Sequence, residues 1–176
     1  MNIFPIERTT DGAPDPIESA RVQCDQHIQK MYLESAQMLS TAHRLLDGVL
    51  TKVPSTDKQG NFVYLKSGKQ RFKKHWKLKD DRDSQLYAAV HPKHPTTLWT
   101  MESHENYDWH YDHFVELLLE FERRHGKMPK TAALREILSR HPTNIPEVSG
   151  TPIKLAMQQF PPVSYTHLTL PTKRIV

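Results

Sequence analysis

The clearest pattern in the chain is an apolar stripe between residues 24 and 48. Small and apolar residues recur there at spacings of four and three, which keeps one helix face buried over about five turns. These residues are Cys24, Ile28, Met31, Ser35, Met38, Ala42 and Leu45. Asp15 followed by Pro16 is a typical helix start and Gly48 a typical stop, so the pattern predicts one long helix over residues 16–47.

Two further helices are predicted in the second half of the chain. One covers about residues 95–125, ends at Gly126 and turns aromatic and leucine side chains inward; another starts at Thr131 and stops at Pro142. Residues 49–83 contain Pro54, Gly60 and alternating stretches, which predicts a hairpin or an ordered loop. No internal repeat is expected. We predict an all-α, single-domain helical bundle around one long helix, with a long basic loop or hairpin insertion.

Composition limits the class of protein. The chain has 176 residues, a formal net charge of +4 at pH 7 and one cysteine, Cys24, so an internal disulfide is excluded and a reducing compartment is expected. No apolar run approaches the roughly 20 residues that cross a bilayer. Residues 1–8 lack the layout of a signal peptide. We expect a cytoplasmic monomer without membrane contact.

The last fourteen residues, VSYTHLTLPTKRIV, resemble the translation of a sequencing adapter. On that interpretation residues 163–176 are non-native and residues 1–162 form the single helical domain, cut near Pro162. The alternative is a genuine tail. Without Lys173 and Arg174 the net charge falls from +4 to +2, so only local clusters of basic residues can indicate a nucleic-acid partner.

Two polar residues, His27 and Glu34, lie seven residues apart beside the apolar stripe, and Thr41 continues their line. Seven residues make two helical turns, so the side chains point the same way, about 10 Å apart. A partly buried carboxylate in this place suits acid–base catalysis. The alternative is an ordinary helix flank, on which Lys30 forms an ion pair with Glu34.

Further polar residues follow the Trp-rich side of the second predicted helix, where they line either a cleft or a half-exposed edge. They are Glu102, Asn106, His110 and His113, close to Trp99, Trp109 and Phe114. His91 with His94, or His104 with the helix histidines, are candidate metal ligands. There is no HExxH motif, cysteine cluster, P-loop or GxSxG elbow, so no metal site or nucleotide cradle is predicted.

A basic run with interleaved rings is the best sequence signal for a partner. The ring-bearing side chains are Phe72, His75 and Trp76, and one acid-free stretch of fourteen residues contains seven cations. These cations are Lys66, Lys69, Arg71, Lys73, Lys74, Lys77 and Lys79. Cations suit phosphates and flat rings suit bases, so the run predicts contact with nucleic acid; the alternative is a solvated charged surface.

Several segments together resemble a family of small tailed-phage proteins: MNIF, CDQHIQKMYLESAQMLSTAHRLLDG, HPKHPTTLW, ESHENYDW, ERRHGK and TPIKLAM. The resemblance covers nearly all of residues 1–160. Members of that family continue past the position of Pro162 with an aromatic, basic segment, which implies that this chain is truncated at its C-terminus.

A more distant resemblance concerns Asp25, His27 and Glu34, whose spacing is similar to that in the first helix of the phage pyrimidine-dimer DNA glycosylases. Those enzymes are all-helical. Their N-terminal amine attacks the sugar C1′ and forms a Schiff base, and β-elimination then cuts the strand without a metal or organic cofactor. The resemblance implies that Glu34 assists catalysis and that His27 lines the site. An α-amine with a pKa near 7.7–8.0 is partly neutral at physiological pH, as a nucleophile must be.

The sequence departs from that family at the positions of two DNA-contacting arginines, which are Leu33 and Gln37 here. Asn2 is also a poor signal for removal of Met1, so the expected nucleophile is the amine of Met1 itself, with the amine of Asn2 as the candidate if Met1 is removed; the alternative is that the chain has no such nucleophile. The pocket is expected to be lined by Asp25, Trp99, Glu102, Asn106 and His110.

The function expected from these observations is a DNA glycosylase with lyase activity, using the basic run to bind DNA. Two alternatives stay open. One is a phage nucleic-acid-binding protein without catalysis, and the other is a histidine-liganded metal protein.

Overall fold

The computed structural model describes residues 3–153, and two long helices form its centre. These are α2 (Asp25–Asp47) and α5 (His104–His125). The shorter helices are α1 (Pro16–Arg21), α3 (Arg82–Gln85), α4 (Pro95–Thr100) and α6 (Arg135–Leu138), the last preceded by a 3-10 helix at Lys130–Leu134. Two strands, β1 (Val49–Pro54) and β2 (Phe72–Lys77), pair antiparallel.

The prediction of an all-α fold is wrong. The insertion after α2 forms a two-stranded antiparallel sheet, so the protein is mixed α/β, with the register running from Val49 opposite Lys77 to Pro54 opposite Phe72. β-branched and aromatic residues favour strands, and they are frequent in both segments. The hairpin is one of the two forms that the sequence predicted for this insertion. We call residues 49–77 the arm.

Both long predicted helices are interrupted. The first break lies between α1 and α2, where the Gln23 side chain turns inward to a buried histidine, His113 (Nε2 to Nε2, 3.2 Å). The second break lies between α4 and α5, where the Ser103 hydroxyl accepts a hydrogen bond from the Asn106 backbone N–H (3.1 Å) and caps α5. Polar side chains with local backbone or buried partners therefore divide each helix.

Packing of α2 against α5 makes the main core. Ala36, Leu39 and Ala42 of α2 belong to one buried cluster with Phe114 and Leu118 of α5. Most of the predicted stripe on α2 is buried, but its first member is exposed and its last is half-buried. The spacing rule therefore identifies the buried face of α2. Among residues 3–153 no helix is long and apolar enough to span a membrane.

Candidate active site

The N-terminal segment lies along the face of α2 that carries Glu34. Ile3 is 1% exposed and shares a buried cluster with Met38, one turn after Glu34. Phe4 packs against the cluster that contains Met31, one turn before Glu34. The two residues therefore belong to clusters that include α2 residues on both sides of the glutamate along the helix axis. Met1 and Asn2, the predicted source of the nucleophilic amine, lie outside the described residues.

Glu34 is a nearly buried carboxylate. It is 8% exposed, and its Oε1 atom lies 3.0 Å from Nζ of Lys30, whose own side chain is 69% exposed. The ion pair that the sequence left open as an alternative is present. Because the lysine is so exposed, it can move into solvent without disturbing the core, whereas the carboxylate is fixed by the packing around α2.

His94 is a neighbour of Glu34 that the sequence considered only as a candidate metal ligand. Burial lowers the pKa of His94 and nearby positive charge lowers it further, whereas Glu34 raises it. The His94 Nδ1 atom accepts a hydrogen bond from the Thr96 backbone N–H (3.3 Å) and caps α4. A neutral ring that accepts through Nδ1 carries its proton on Nε2. The recognisable sequence signal was Pro95, a typical first residue of a helix after a cap.

His27 and Asp25, the other predicted residues of this helix, have different surroundings. The His27 ring stacks on Phe4 with centroids 4.7 Å apart and an interplanar angle of 1°. It therefore helps to hold the N-terminal segment against α2. Asp25 is exposed and forms an ion pair with Arg124 at the end of α5 (2.8 Å), so it ties two helices together at the surface.

The predicted pocket residues Trp99, Glu102 and Asn106 hold the segment around Thr151 against the helices. Trp99 is 2% exposed and donates from Nε1 to the Thr151 carbonyl (2.8 Å). Asn106 donates to the Thr151 hydroxyl (3.0 Å) and accepts from its backbone N–H (2.9 Å), and Glu102 accepts from that hydroxyl (2.7 Å). Trp99 and Asn106 line a cavity of about 170 Å³, together with Ile153. Ile153 shares a cluster with Ile3, so the cavity borders the N-terminal segment.

His110 lies deeper, in a buried polar layer of the core. Its Nδ1 atom is 2.8 Å from the Thr100 hydroxyl, and burial lowers its pKa well below the usual value. Burial also lowers the pKa of His113 to about 3. Both rings are therefore neutral at pH 7. Within residues 3–153 no group of three or more His, Cys, Asp or Glu side chains is placed to hold a metal ion.

The predicted DNA-binding residues lie on the arm, away from Glu34. The basic side chains are exposed, whereas Trp76 is half-buried opposite Leu50. The basic residues are Lys66, Lys69, Arg71, Lys73, Lys74 and Lys77. The arm leaves α2 at Gly48, fourteen residues after Glu34, which is about 20 Å along the helix axis. The structure therefore separates the two predicted functional regions.

A larger cleft of about 550 Å³ lies near the C-terminal end of α2, and sequence reasoning missed it. Arg82 crosses it with ion pairs to Asp47 and Asp80 (both 2.7 Å) and lies 3.0 Å from Nδ1 of His43. Burial and the Arg82 charge lower the pKa of His43 to about 4. Arg82 is paired with both Asp47 and Asp80, which gives these three charges a structural role in the cleft rather than a catalytic one.

Comparison with protein-family models, with curated proteins and with solved structures finds no match for this chain. The resemblance to the pyrimidine-dimer glycosylases stays a prediction.

Proposed function

We propose that this protein is a DNA glycosylase with lyase activity, in which the N-terminal amine is the nucleophile and Glu34 is its acid–base partner. One observation carries the proposal: Phe4 stacks on His27 of α2, two turns before Glu34, and Ile3 shares a buried cluster with Met38, one turn after it. Two residues of chain span at most about 7 Å, so covalent geometry keeps the amine of residue 1 within that distance of the Ile3 nitrogen.

The proposed reaction proceeds through a Schiff base between the N-terminal amine and C1′ of the sugar. On an abasic site the neutral amine adds to the C1′ aldehyde, a proton is taken up, and water leaves, which gives an iminium ion. A base then removes a proton from C2′, and the electron pair expels the 3′ phosphate and cuts the strand. On an intact nucleotide, attack at C1′ breaks the glycosidic bond, and the base leaves with its electron pair and takes up a proton. Each step needs a group that exchanges protons beside the amine.

Glu34 has the properties that these steps require. As a carboxylate it can accept the C2′ proton, and its negative charge stabilises the positive iminium ion. This attraction is stronger than it would be at the surface, because Glu34 is only 8% exposed and therefore poorly solvated. Lys30 can leave the carboxylate when substrate binds, since its side chain is 69% exposed. His94, whose pKa is lowered by burial, caps α4, the element that packs on α2, and interacts electrostatically with Glu34, so it offers a second proton carrier.

Borohydride trapping tests the proposal. Sodium borohydride reduces an iminium to a stable secondary amine, so an active enzyme becomes covalently joined to labelled duplex DNA that contains an abasic site. We expect trapping by the native chain and loss of trapping when the amine is displaced by an N-terminal Gly-Ser extension. Glu34→Gln should lower the rate of trapping by about 100-fold or more.

Glu116→Gln is the matched control. Glu116 is 7% exposed and is paired with an arginine, Arg21 (2.8 Å), but it lies on α5. It should trap at the native rate if folding is preserved. Equal rates for the Gln variants of Glu34 and Glu116 would contradict the assignment of Glu34. Absence of trapping by the native chain would reject the enzyme.

A second candidate is a nucleic-acid-binding protein without catalysis, and the basic arm favours it. The two candidates differ in one assay: both bind DNA with an affinity that falls as salt rises, but only the enzyme is trapped on abasic DNA. The metal-protein alternative has no supporting ligand cluster among residues 3–153.

A further inference from the structure

The arm divides into a three-way junction. The Ser55 N–H donates to the Arg71 carbonyl (2.8 Å), and the Arg71 N–H donates to the Val63 carbonyl (2.8 Å). The Val63 N–H donates back to the Ser55 carbonyl (2.9 Å), which closes a ring of three hydrogen bonds. These residues are eight apart in sequence, and the loops between them turn at Gly60 and Gly68, whose φ angles are 88° and 74°. A short repeat is therefore present where none was expected.

Strand pairing puts three aromatic rings on one face of this junction. Cross-strand partners share a face, and so do residues two apart along a strand. The flanking pairs are Thr56 with Phe62, Tyr64 with Gln70, and Pro54 with Phe72. Positions 54 and 56, 62 and 64, and 70 and 72 link each pair to the next. The pairing register therefore predicts that Phe62, Tyr64 and Phe72 lie on the same side, which we call the aromatic face.

The aromatic face is open to solvent. Phe62 is 56% exposed, Tyr64 60% and Phe72 53%. The same alternation adds the exposed pair Lys52 and Lys74, which are cross-strand partners in the β1–β2 register. The rings thus stand beside cations rather than beside other apolar side chains of a core.

Charge indicates what the aromatic face binds. Residues 49–77 contain eight lysines and arginines and a single acid, Asp57, whereas the net charge of the whole chain is only +4. Such an arm repels a second copy of itself and attracts a polyanion. Exposed rings among cations are the composition that binds unpaired bases by stacking and the backbone by charge. In a duplex the base faces are already stacked on one another, so rings gain little there.

We propose that the aromatic face of the arm is a binding platform for single-stranded DNA. Phe62, Tyr64 and Phe72 stack on successive unpaired bases while the neighbouring lysines contact phosphates. The choice of DNA over RNA rests on the proposed function, but the stacking does not. The arm begins about 20 Å from Glu34 along α2, so loss of single-strand binding by the arm and loss of trapping at Glu34 can be measured separately.

Fluorescence anisotropy with labelled oligonucleotides tests the platform, using the full chain and three probes: a single-stranded deoxythymidine oligomer, the same length of duplex DNA, and a single-stranded uridine oligomer. We expect tighter binding to single-stranded DNA than to duplex. Tyr64→Ala and Phe62→Ala should each weaken single-strand binding by roughly 5- to 100-fold. Circular dichroism checks that each variant keeps the native fold.

Two matched controls separate stacking from general attraction. Leu65 is 50% exposed but lies on the opposite face, two residues after Val63, so Leu65→Ala should bind like the native chain. Lys73 and Lys74 are adjacent and alternate faces, so Lys74→Gln should weaken binding more than Lys73→Gln. Equal losses for Leu65→Ala and Tyr64→Ala, or preference for duplex, would overturn the proposal. Binding of the uridine oligomer alone would overturn the choice of DNA, and a dimer that requires these rings would show that a second copy occupies the face.

Discussion

Replacing Arg44 by methionine tests how the arm is attached to the helical core. Arg44 is 2% exposed, and its guanidinium donates five hydrogen bonds, four to backbone carbonyls and one to a carboxylate. The acceptors lie at the end of β2, in α3 and in the residues after α3; they are Trp76, Asp83, Leu86 and Tyr87. One side chain of α2 thus satisfies the polar groups of three segments.

The size of the effect follows from this geometry. Methionine has a similar length but donates no hydrogen bond, so Asp83 loses its ion-pair partner and the carbonyls lose their donors. Removing one partner of a buried ion pair costs about 3–5 kcal/mol in the free energy of unfolding. The Asp83 side chain is 28% exposed, which favours the lower end of that interval. For a chain of this size the expected fall in Tm is about 6–20 °C.

Urea unfolding followed by far-ultraviolet circular dichroism measures the change, with Arg124→Met as the matched control. Arg124 donates four hydrogen bonds, but its side chain is 25% exposed rather than 2%, so water replaces its bonds and the expected cost is about 1 kcal/mol. An Arg44→Met protein that unfolds at the native urea concentration would refute the reasoning. Equal costs at both arginines would show that burial does not set the magnitude.

Two further predictions concern stability. The folded-state pKa of His43 is lowered to about 4, so between pH 6.5 and 4 the unfolded chain binds a proton there that the folded chain does not. The free energy of unfolding should therefore decrease as the pH is lowered through that window, by about 1.4 kcal/mol per pH unit for this residue. In His43→Gln this dependence on pH should be weaker. Asn106→Ala removes side-chain bonds to Trp99 and Thr151 at a site 2% exposed; it should cost about 1–3 kcal/mol in urea unfolding, whereas an unchanged midpoint would contradict the role given to Asn106.

Local patterns predicted the parts of the fold that depend on local chemistry. The spacing of apolar residues identified the buried face of α2, and Gly48 marked its end. The breaks before α2 and α5 were missed because the predicted helices were bounded only by the start at Pro16 and by the stops at Gly48 and Gly126. The break before α5 could have been recognised from Ser103, a typical helix-capping residue. The break before α2 involves the contact between Gln23 and His113, which are 90 positions apart and which no local pattern relates.

The candidate site could be predicted only in part, because it too depends on contacts between distant parts of the chain. His27 and Glu34 could be placed on one line of a helix by spacing alone, but the packing of Ile3 against Met38 joins distant parts of the chain. His94 comes near Glu34 only through the packing of α4 on α2. The aromatic face was hidden because the segments that carry Phe62, Tyr64 and Phe72 are joined by hydrogen bonds between residues eight apart, which sequence alternation does not predict.

Peptide mapping of the borohydride-trapped complex tests the central claim most directly. Trypsin cuts after Arg8, and residues 1–8, MNIFPIER, contain no lysine, so their only amine is the N-terminal one. We predict that mass spectrometry finds the reduced sugar adduct on this peptide. An adduct on Lys30, the amine that lies 3.0 Å from the Glu34 carboxylate, would instead appear on the peptide of residues 22–44, which trypsin leaves uncut at a modified lysine. That result would contradict the assignment of the N-terminal amine as the nucleophile.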